Sequence, residues 1–203
     1  MARSKKEKVD LITMAMEMIA EDGWRRFSMA ALARRGHIGL DELYRQYAGP
    51  GAILAALGRR LDEDMLAGDV SGLDELDVRE RLFDILMRRF EAMQPYRPAF
   101  AAMAREAARD PSLSLRALCN LDRMAARVAD AAGIRLHGLA GKAARASLVL
   151  AYTRAFRTWL GDESGDMAAT MAELDRRLAG LERAAGLACR LRRRRSEAQP
   201  VAA

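Results

Sequence analysis

Aromatic and β-branched residues are scarce in this chain, and aromatics make up only 5% of its 203 residues. The abundant residues are alanine, leucine, methionine and arginine, which are mostly strong helix formers. The composition therefore favours an all-α fold over a β-sandwich or a β-barrel. Hydrophobic residues reach 51%, so the chain can bury a sizeable core and does not have the composition of a disordered protein.

Cysteine and histidine are also rare, with two of each in the whole chain. Cys119 and Cys189 lie far apart and form no CxxC pair, so neither a zinc cluster nor a disulfide framework is expected. Paired carboxylates in a recognisable cleft, a glycine-rich phosphate loop and a Ser/Cys–His constellation are all missing. We therefore predict no enzymatic activity, no catalytic or metal-binding residue and no cofactor, in a protein of the reducing cytoplasm.

Long uninterrupted apolar runs are missing as well. The first residues are basic, but Glu17 and Glu21 break the apolar pattern that follows, which is unlike a signal peptide. The most apolar later stretch, residues 143–160, contains several arginines, so a membrane-spanning helix is not expected.

Positive charge collects at the two ends of the chain, whose formal net charge is +6. Residues 1–60 and the segment from Arg190 onward are basic, whereas the residues between them are slightly acidic. A basic end can meet a polyanion, either a nucleic acid or an anionic membrane surface. Solvated charge without a partner is the alternative interpretation.

Hydrophobic periodicity predicts about nine helices. An apolar face over residues 5–22 is followed by Gly23, which ends the first helix. Ser28 is a candidate N-cap for a short helix over Met29–Arg35, and another short helix is expected over Leu40–Tyr47. The later helices are predicted from about residue 50, over 78–93, 95–109, 111–131 and 139–160, and after Ser164.

The helices group into a small head and a larger body. We predict a three-helix, helix-turn-helix domain over residues 1–50, a helical body over 51–190, and a basic, disordered tail over 191–203. Over Leu187–Arg195, apolar Leu187, Ala188 and Leu191 beside five arginines leave two other roles open, namely peripheral contact with an anionic membrane and added affinity for DNA.

Two short helices joined by a tight turn, with a third helix packed against them, present one helix to the major groove of DNA. Residues 27–47 read FSMAALARRGHIGLDELYRQY and resemble the head of TetR family transcriptional regulators. The resemblance covers about residues 8–66. It implies a ligand-responsive repressor that acts as a homodimer on a double-stranded DNA operator, with a ligand-binding and dimerisation body.

The same resemblance implies which residues would contact DNA. Phosphate contacts would come from Ser28 and Tyr44, and the start of the recognition helix would face the bases through Gly39, Leu40, Asp41 and Glu42. Arginines of the head would add contacts to the DNA backbone, which supply most of the affinity, while base edges give specificity. These arginines are Arg25, Arg26, Arg34, Arg35 and Arg45.

Some positions depart from that family's usual pattern. His37 stands where a left-handed residue, usually glycine, forms the turn, so Gly36 is expected to absorb the strain through a shifted turn. Asp41 and Glu42 place two carboxylates against a phosphate-lined groove, and Pro50 brings no charge to the fourth helix. One acidic side chain can accept from cytosine N4, but two together repel the DNA backbone. These departures favour a head that no longer reads DNA.

A second resemblance lies near the C-terminus, over Trp159–Asp166 with Thr170 and residues 174–178. This segment is similar to the closing helices of a TetR-like subgroup that includes lipid-binding accessory proteins of ubiquinone biosynthesis. The resemblance implies a protein that holds a lipid in its body and does not bind DNA. Ser164 as a helix cap and Asp166 at the positive end of the last helix are equally explained by a capped helix that dimerises.

Dimerisation through the last two helices is implied by the TetR resemblance. Two apolar stripes suit such an interface, because they would otherwise be exposed. The stripes are Leu148, Ala151, Ala155 and Trp159 on one helix, and Met167, Met171, Leu174, Leu178 and Leu181 on the next.

A small hydrophobic ligand is the other partner that the resemblance implies. Apolar and aromatic residues between the head and the last helices are candidates to line its pocket, although residues at helical spacing also suit an ordinary core. The candidates are Phe83, Phe90, Tyr96, Phe100, Met103, Tyr152 and Phe156.

Overall fold

The computed structural model describes residues 10–67, 76–134 and 137–197, with side chains described as far as Leu187. Nine α-helices lie within these residues, which contain no strand, and the predicted all-α fold is confirmed. The helices are α1 Leu11–Asp22, α2 Met29–Arg35, α3 Leu40–Gln46, α4 Pro50–Leu66, α5 Val78–Met93, α6 Arg97–Ala107, α7 Pro111–Ala131, α8 Gly138–Gly161 and α9 Ala168–Glu197. Short 3-10 turns cover Trp24–Arg26 and Gln94–Tyr96.

The chain divides into two compact units. The first comprises Met1–Met65 and Glu91–Leu121, and the second comprises Leu66–Phe90 and Asp122–Ala203. By contacts, most of α4 belongs with the three helices before it. The functional division of the chain at residues 50 and 190 stays a prediction.

In the first unit, helix α1 is fixed at its start by Asp10. Oδ1 of Asp10 accepts hydrogen bonds from the backbone N–H groups of Ile12 and Thr13, at 3.1 and 3.2 Å. The same carboxylate pairs with both terminal nitrogens of Arg60 on α4, at 2.7 and 2.9 Å. The hydrogen bond from Arg60 is the main reason why the pKa of Asp10 lies well below its usual range. One carboxylate therefore caps α1 and ties it to α4.

The end of α1 is held by the corner between α6 and α7. Gly23 has φ +85°, where glycine is favoured, and a Cβ at this position would collide with Oε1 of Glu106. Oε2 of Glu106 accepts from the backbone N–H of Arg25 at 3.0 Å. Asp110 accepts from the indole Nε1–H of Trp24 at 3.2 Å. The turn that leads from α1 to α2 is thus clamped by two carboxylates from distant sequence.

In the second unit, α8 and α9 pack against each other. Both predicted dimer stripes lie largely inside this pair, with Ala155, Trp159 and Leu174 completely buried and Leu178 nearly so. For these buried residues a role as a surface between two chains is wrong, because the same chain already covers them, whereas the partly buried Met171 and Leu181 stay candidates.

The loop between α8 and α9 is organised around buried Asp162. Its Oδ2 accepts from the backbone N–H and the hydroxyl of Thr170, at 2.8 and 2.6 Å. Its Oδ1 accepts from the N–H of Ser164 at 3.1 Å and from the Ser164 hydroxyl. Ser164 and Asp166 both accept from the N–H of Ala168, the first residue of α9, which confirms the expected cap.

Helix α9 reaches Glu197, so the helix continues into the stretch predicted as a tail from residue 191. The arginine side chains of that stretch lie outside the described residues, and its membrane or DNA contact stays a prediction. No helix in the described ranges is long and apolar enough to cross a membrane. Within the same ranges, no three His, Cys, Asp or Glu side chains gather where they could hold a metal ion.

Candidate nucleic-acid interface

Helices α2 and α3 form the predicted helix-turn-helix and pack against each other in the first unit. Leu32 of α2 and Leu43 of α3 are completely buried, and Met29 is nearly so. The bounds of α2 agree with the prediction, and α3 ends one residue earlier than expected, at Gln46, with Tyr47 as its C-cap. Helices α2 and α3 have only seven residues each, and each is stabilised by its buried inward leucine.

Ser28 caps α2 through its side chain. Its backbone is extended, and its Oγ accepts from the N–H of Ala31 at 3.2 Å. The hydroxyl proton is not used in this bond, so exposed Ser28 can still donate to an acceptor outside the chain. This arrangement is compatible with the predicted phosphate contact, which stays a prediction.

The turn between the two helices is formed by His37 and not by a shifted Gly36. His37 has φ +50°, in the left-handed region, whereas Gly36 has an ordinary helical φ of −82°. The expected shift of the turn is therefore wrong. Gly36 serves close packing instead, since a Cβ there would lie 3.2 Å from Cδ2 of Leu11 and 3.3 Å from the carbonyl oxygen of Leu32.

The outer face of α3 carries a local ion pair. With Leu43 turned inward, the helical period places Asp41 and Arg45 on the opposite side. Nη1 of Arg45 lies 2.8 Å from Oδ2 of Asp41, and both side chains are exposed. The hydrogen bond from Arg45, followed by that from the backbone N–H of Glu42, lowers the pKa of Asp41. One of the two predicted acids thus neutralises the arginine beside it.

Two large side chains of α3 have little to pack against in this chain. Leu40 is 42% exposed and Tyr44 is 50% exposed. Gly39 and Glu42 are exposed as well. The predicted base-facing residues and Tyr44 therefore all remain accessible on one short helix.

The predicted arginine contacts fall into two groups. Arg35 is held by Glu21, with Nη2 to Oε1 at 2.9 Å, and lies 3.7 Å from Glu17. This pairing raises the pKa of Arg35 and lowers that of Glu21, mainly through their hydrogen bond. By contrast, three exposed arginines form no ion pair within the described part of the chain. They are Arg25, Arg26 and Arg34.

The predicted ligand-binding residues are divided between the two units. In the first unit are Tyr96, Phe100 and Met103, and the Tyr96 hydroxyl lies 3.2 Å from that of Thr13 and 3.3 Å from Nη1 of Arg60. In the second unit are Phe83, Phe90, Tyr152 and Phe156. Tyr96 thus has a structural role at the start of α1, and the pocket-lining roles of all seven residues stay predictions.

Four aromatic residues form a cluster within the second unit. The rings of Phe90 and Tyr152 stack with centroids 4.9 Å apart, and Trp159 lies 6.0 Å from Phe90 and 5.6 Å from Phe156. Phe90, Tyr152 and Trp159 are buried, as core residues would be.

Phe83 lies outside this cluster, beside an open hollow of about 390 Å³. Charged side chains dominate the walls of the hollow, and one of its acids, Asp175, pairs with Arg79 at 2.6 Å. This charged lining does not suit the predicted hydrophobic ligand. The walls are formed by Leu76, Asp77, Arg79, Glu80, Phe83, Asp84 and Asp175.

The carboxylates that clamp the head were not anticipated from the sequence. Asp110 before Pro111 and Ser112 has the pattern of a helix cap, and its Oδ1 does accept from the N–H groups of Ser112 and Leu113. Its other oxygen reaches Trp24, and no local pattern indicates that contact. The sequence around Glu106 contains no pattern that would indicate its contact with Arg25.

Comparison with solved structures identifies the fold. A TetR transcriptional regulator from Nitrosomonas europaea matches with a TM-score of 0.68 and 24% sequence identity, over 85% of this chain and 95% of that one. A TetR transcriptional regulator from Rhodococcus sp. RHA1 matches with a TM-score of 0.59 and 18% identity, over 84% and 93% of the two chains. The chain therefore has the fold of the TetR-type transcriptional regulators.

Sequence comparison adds a narrower likeness. Residues 116–185 match the model of the COQ9 family, a segment that includes α8 and the loop around Asp162. No curated protein matches the chain. The COQ9 match agrees with the second resemblance, to the accessory proteins of ubiquinone biosynthesis.

Proposed function

We propose that this protein is a cytoplasmic DNA-binding transcriptional regulator, a ligand-responsive repressor that acts as a homodimer. The observation that supports it best is helix α3, which is anchored by buried Leu43 while Leu40 and Tyr44 stay exposed. An isolated small domain gains nothing from exposing a leucine and a tyrosine on one short helix. A groove that receives the helix gives both side chains a partner.

Charge supports the same function. Exposed Arg25, Arg26 and Arg34 have no acidic partner among the described residues, and Ser28 keeps a donor proton. Cations without partners release counterions when they meet phosphates, which drives binding and makes it depend on salt. The TetR-like fold adds support, because the similar structures are regulators.

The homodimer would form through the outward faces of α8 and α9, since their inner faces pack together. Leu139 and Leu150 of α8 are 84% and 60% exposed, and Ala143 and Ala146 lie between them on the same side of the helix. A second copy would cover this apolar strip. Light scattering should show a dimer that Leu150→Glu converts to a monomer, whereas a wild-type monomer at micromolar concentration would contradict the proposal.

Ligand response would follow from the dimer. The two heads of the dimer must have the right spacing to enter adjacent major grooves. A ligand that prefers a dimer with a different spacing would shift the population away from the DNA-bound form. A small hydrophobic molecule is the class that the apolar candidates fit.

The decisive experiment measures binding of the full chain to the DNA upstream of its own gene, across a salt series. A regulator should bind this duplex more tightly than a random duplex of equal length, and its affinity should fall steeply with salt. Arg34→Ala should weaken binding and flatten the salt dependence by about one unit in the logarithmic slope for each subunit of the homodimer. Equal binding to both duplexes at every salt concentration would contradict a regulator.

A lipid-binding accessory protein of the ubiquinone-biosynthesis type is the alternative function, and the COQ9 match over residues 116–185 favours it. The exposed acids Asp41 and Glu42 also favour it, because they oppose a phosphate-lined groove. Extraction of lipid from the purified chain, followed by mass spectrometry, tests this function. A bound isoprenoid lipid together with no preference for any duplex would replace the proposal of gene control.

A further inference from the structure

An arginine far from the head in sequence reaches the start of α4. In the first unit, the guanidinium of Arg116 on α7 lies directly over Gly51. A Cβ on Gly51 would lie 2.5 Å from Cζ of Arg116 and closer still to Nη1. The guanidinium therefore occupies the space that any other residue at position 51 would fill.

Arg116 carries its charge to this position without an acidic partner. Its side chain is exposed and forms no ion pair with any described residue. The nearby backbone does not replace such a partner, because the first turn of a helix directs N–H groups outward and repels a cation. A cation in this position gains most from an anion that comes from outside the chain.

The position is close to the recognition helix. Helix α3 ends at Gln46 and α4 begins at Pro50, so only a short connection separates α3 from Gly51. Five residues span at most about 18 Å even when fully extended. The major groove that would hold α3 is about 12 Å wide and is flanked by phosphates, so phosphates are the anions that a long side chain seated at Gly51 would meet if α3 entered the groove.

From this geometry we infer that Arg116 is a DNA phosphate contact, and that Gly51 provides the space for it. The inference rests on the proposed DNA-binding function. Arg116 would extend the interface beyond the contiguous head sequence to α7. Its contribution is independent of base sequence, because a phosphate contact sets position and affinity but carries no sequence information.

The test compares equilibrium binding of full-length variants by fluorescence anisotropy, with the upstream duplex and a random duplex over a salt series. Arg116→Ala should weaken binding to both duplexes about tenfold for each subunit, and so about a hundredfold for the homodimer, as expected for the loss of one charge-assisted hydrogen bond per subunit. The logarithmic salt slope should become shallower by about 0.9 per subunit, or about 1.8 for the homodimer. Circular dichroism should show intact helix content, because alanine is favoured at an exposed helical position.

Arg59→Ala is the matched control, because exposed Arg59 is on the same helix as Gly51 and its loss changes the net charge equally. It lies about 12 Å further along the helix axis, beyond a Debye length of about 8 Å, so its loss should change binding less than twofold. Gly51→Ala is a second variant that keeps every charge and displaces only the guanidinium. It should weaken binding about threefold, an intermediate loss consistent with a contact that is moved and not deleted.

The possible results separate the two proposals. Arg116→Ala and Arg59→Ala with equal affinities and equal slopes would overturn the role of Arg116 while leaving DNA binding intact. A loss confined to the upstream duplex would also overturn it, because a phosphate contact acts on any sequence. A wild-type chain that binds neither duplex would overturn the proposed function, and the role of Arg116 with it.

Discussion

The helix-turn-helix and the α8–α9 pair contain the same kind of apolar sequence pattern, but they differ in how far those apolar side chains are exposed. Both contain leucines at helical spacing that suggested contact with a partner. In α3 the outward Leu40 and Tyr44 stay exposed, whereas in the α8–α9 pair the stripe around Trp159 and Leu174 is completely buried. Periodicity identifies an apolar face but does not say whether the same chain or another molecule covers it.

Two aspartates, one in each region, show the same difference between an exposed and a buried side chain. Asp41 and Asp162 both have a pKa below the usual value, for different reasons. Asp41 is exposed and bonded chiefly to Arg45. Burial alone would raise the pKa of Asp162, but hydrogen bonds from Ser164 and Thr170 outweigh burial and hold it well below its usual range. The first carboxylate adjusts surface charge, and the second organises a loop.

The largest expected effect comes from a pair of leucines within the α8–α9 pair. Leu174→Ala should lower the free energy of unfolding by about 3 kcal/mol, because Leu174 is completely buried and leaves a cavity. Leu150→Ala, at a position 60% exposed, should change it by less than about 0.5 kcal/mol in the isolated chain. Urea denaturation followed by circular dichroism measures both values.

Repeating the denaturation at several protein concentrations distinguishes a core residue from a residue of the dimer interface. The loss for Leu174→Ala should be the same at every concentration, whereas any loss for Leu150→Ala should grow with concentration, because only a dimer contact obeys mass action. A loss for Leu174→Ala that vanished on dilution would return Leu174 to a dimer interface and contradict its burial within one chain.

Asp162 gives the next largest effect. Asp162→Asn replaces two accepting oxygens with one, while the donors of Ser164 and Thr170 remain. We expect a loss of about 2 kcal/mol in the free energy of unfolding, since buried donors are left without acceptors. Asp64→Asn, the same chemical change at an exposed position on α4, is the matched control and should alter the free energy of unfolding by less than about 0.5 kcal/mol.

The pH dependence of stability follows from the depressed pKa of Asp162. The stabilisation is present above the unfolded value of about 3.9 and is lost as pH falls toward the folded value. Wild-type chain should therefore lose more stability between about pH 4 and pH 2 than the Asp162→Asn variant does. Parallel pH profiles for the two chains would contradict the role of Asp162.

Local sequence was sufficient for most helix bounds. Ser28 before Met29, Gly23 after α1 and Pro111 at the start of α7 are residues whose own backbone or side-chain chemistry begins or ends a helix. Their effects act within a few residues along the chain. For this reason α2 and α7 have the predicted bounds.

Contacts between distant segments could not be predicted in the same way. Glu106 with Arg25, and Arg116 over Gly51, depend on how whole helices pack, and no local pattern records that packing. The turn at His37 shows a related limit. Glycine is preferred in a left-handed conformation, yet His37 adopts φ +50° while Gly36, one residue earlier, keeps an ordinary helical φ of −82°.

The smallest expected effect tests the acid on the recognition helix. Asp41→Asn should raise affinity for any duplex about fivefold and steepen the logarithmic salt slope by about one unit for each subunit, because it removes a repulsive charge and releases Arg45. Asp64→Asn, an equal charge change at an exposed position on α4, should alter affinity less than twofold. Anisotropy titrations with the upstream and random duplexes provide both measurements. If Asp41→Asn instead weakened binding to the upstream duplex alone, Asp41 would be accepting a hydrogen bond from a base, and its pairing with Arg45 would belong only to the free protein.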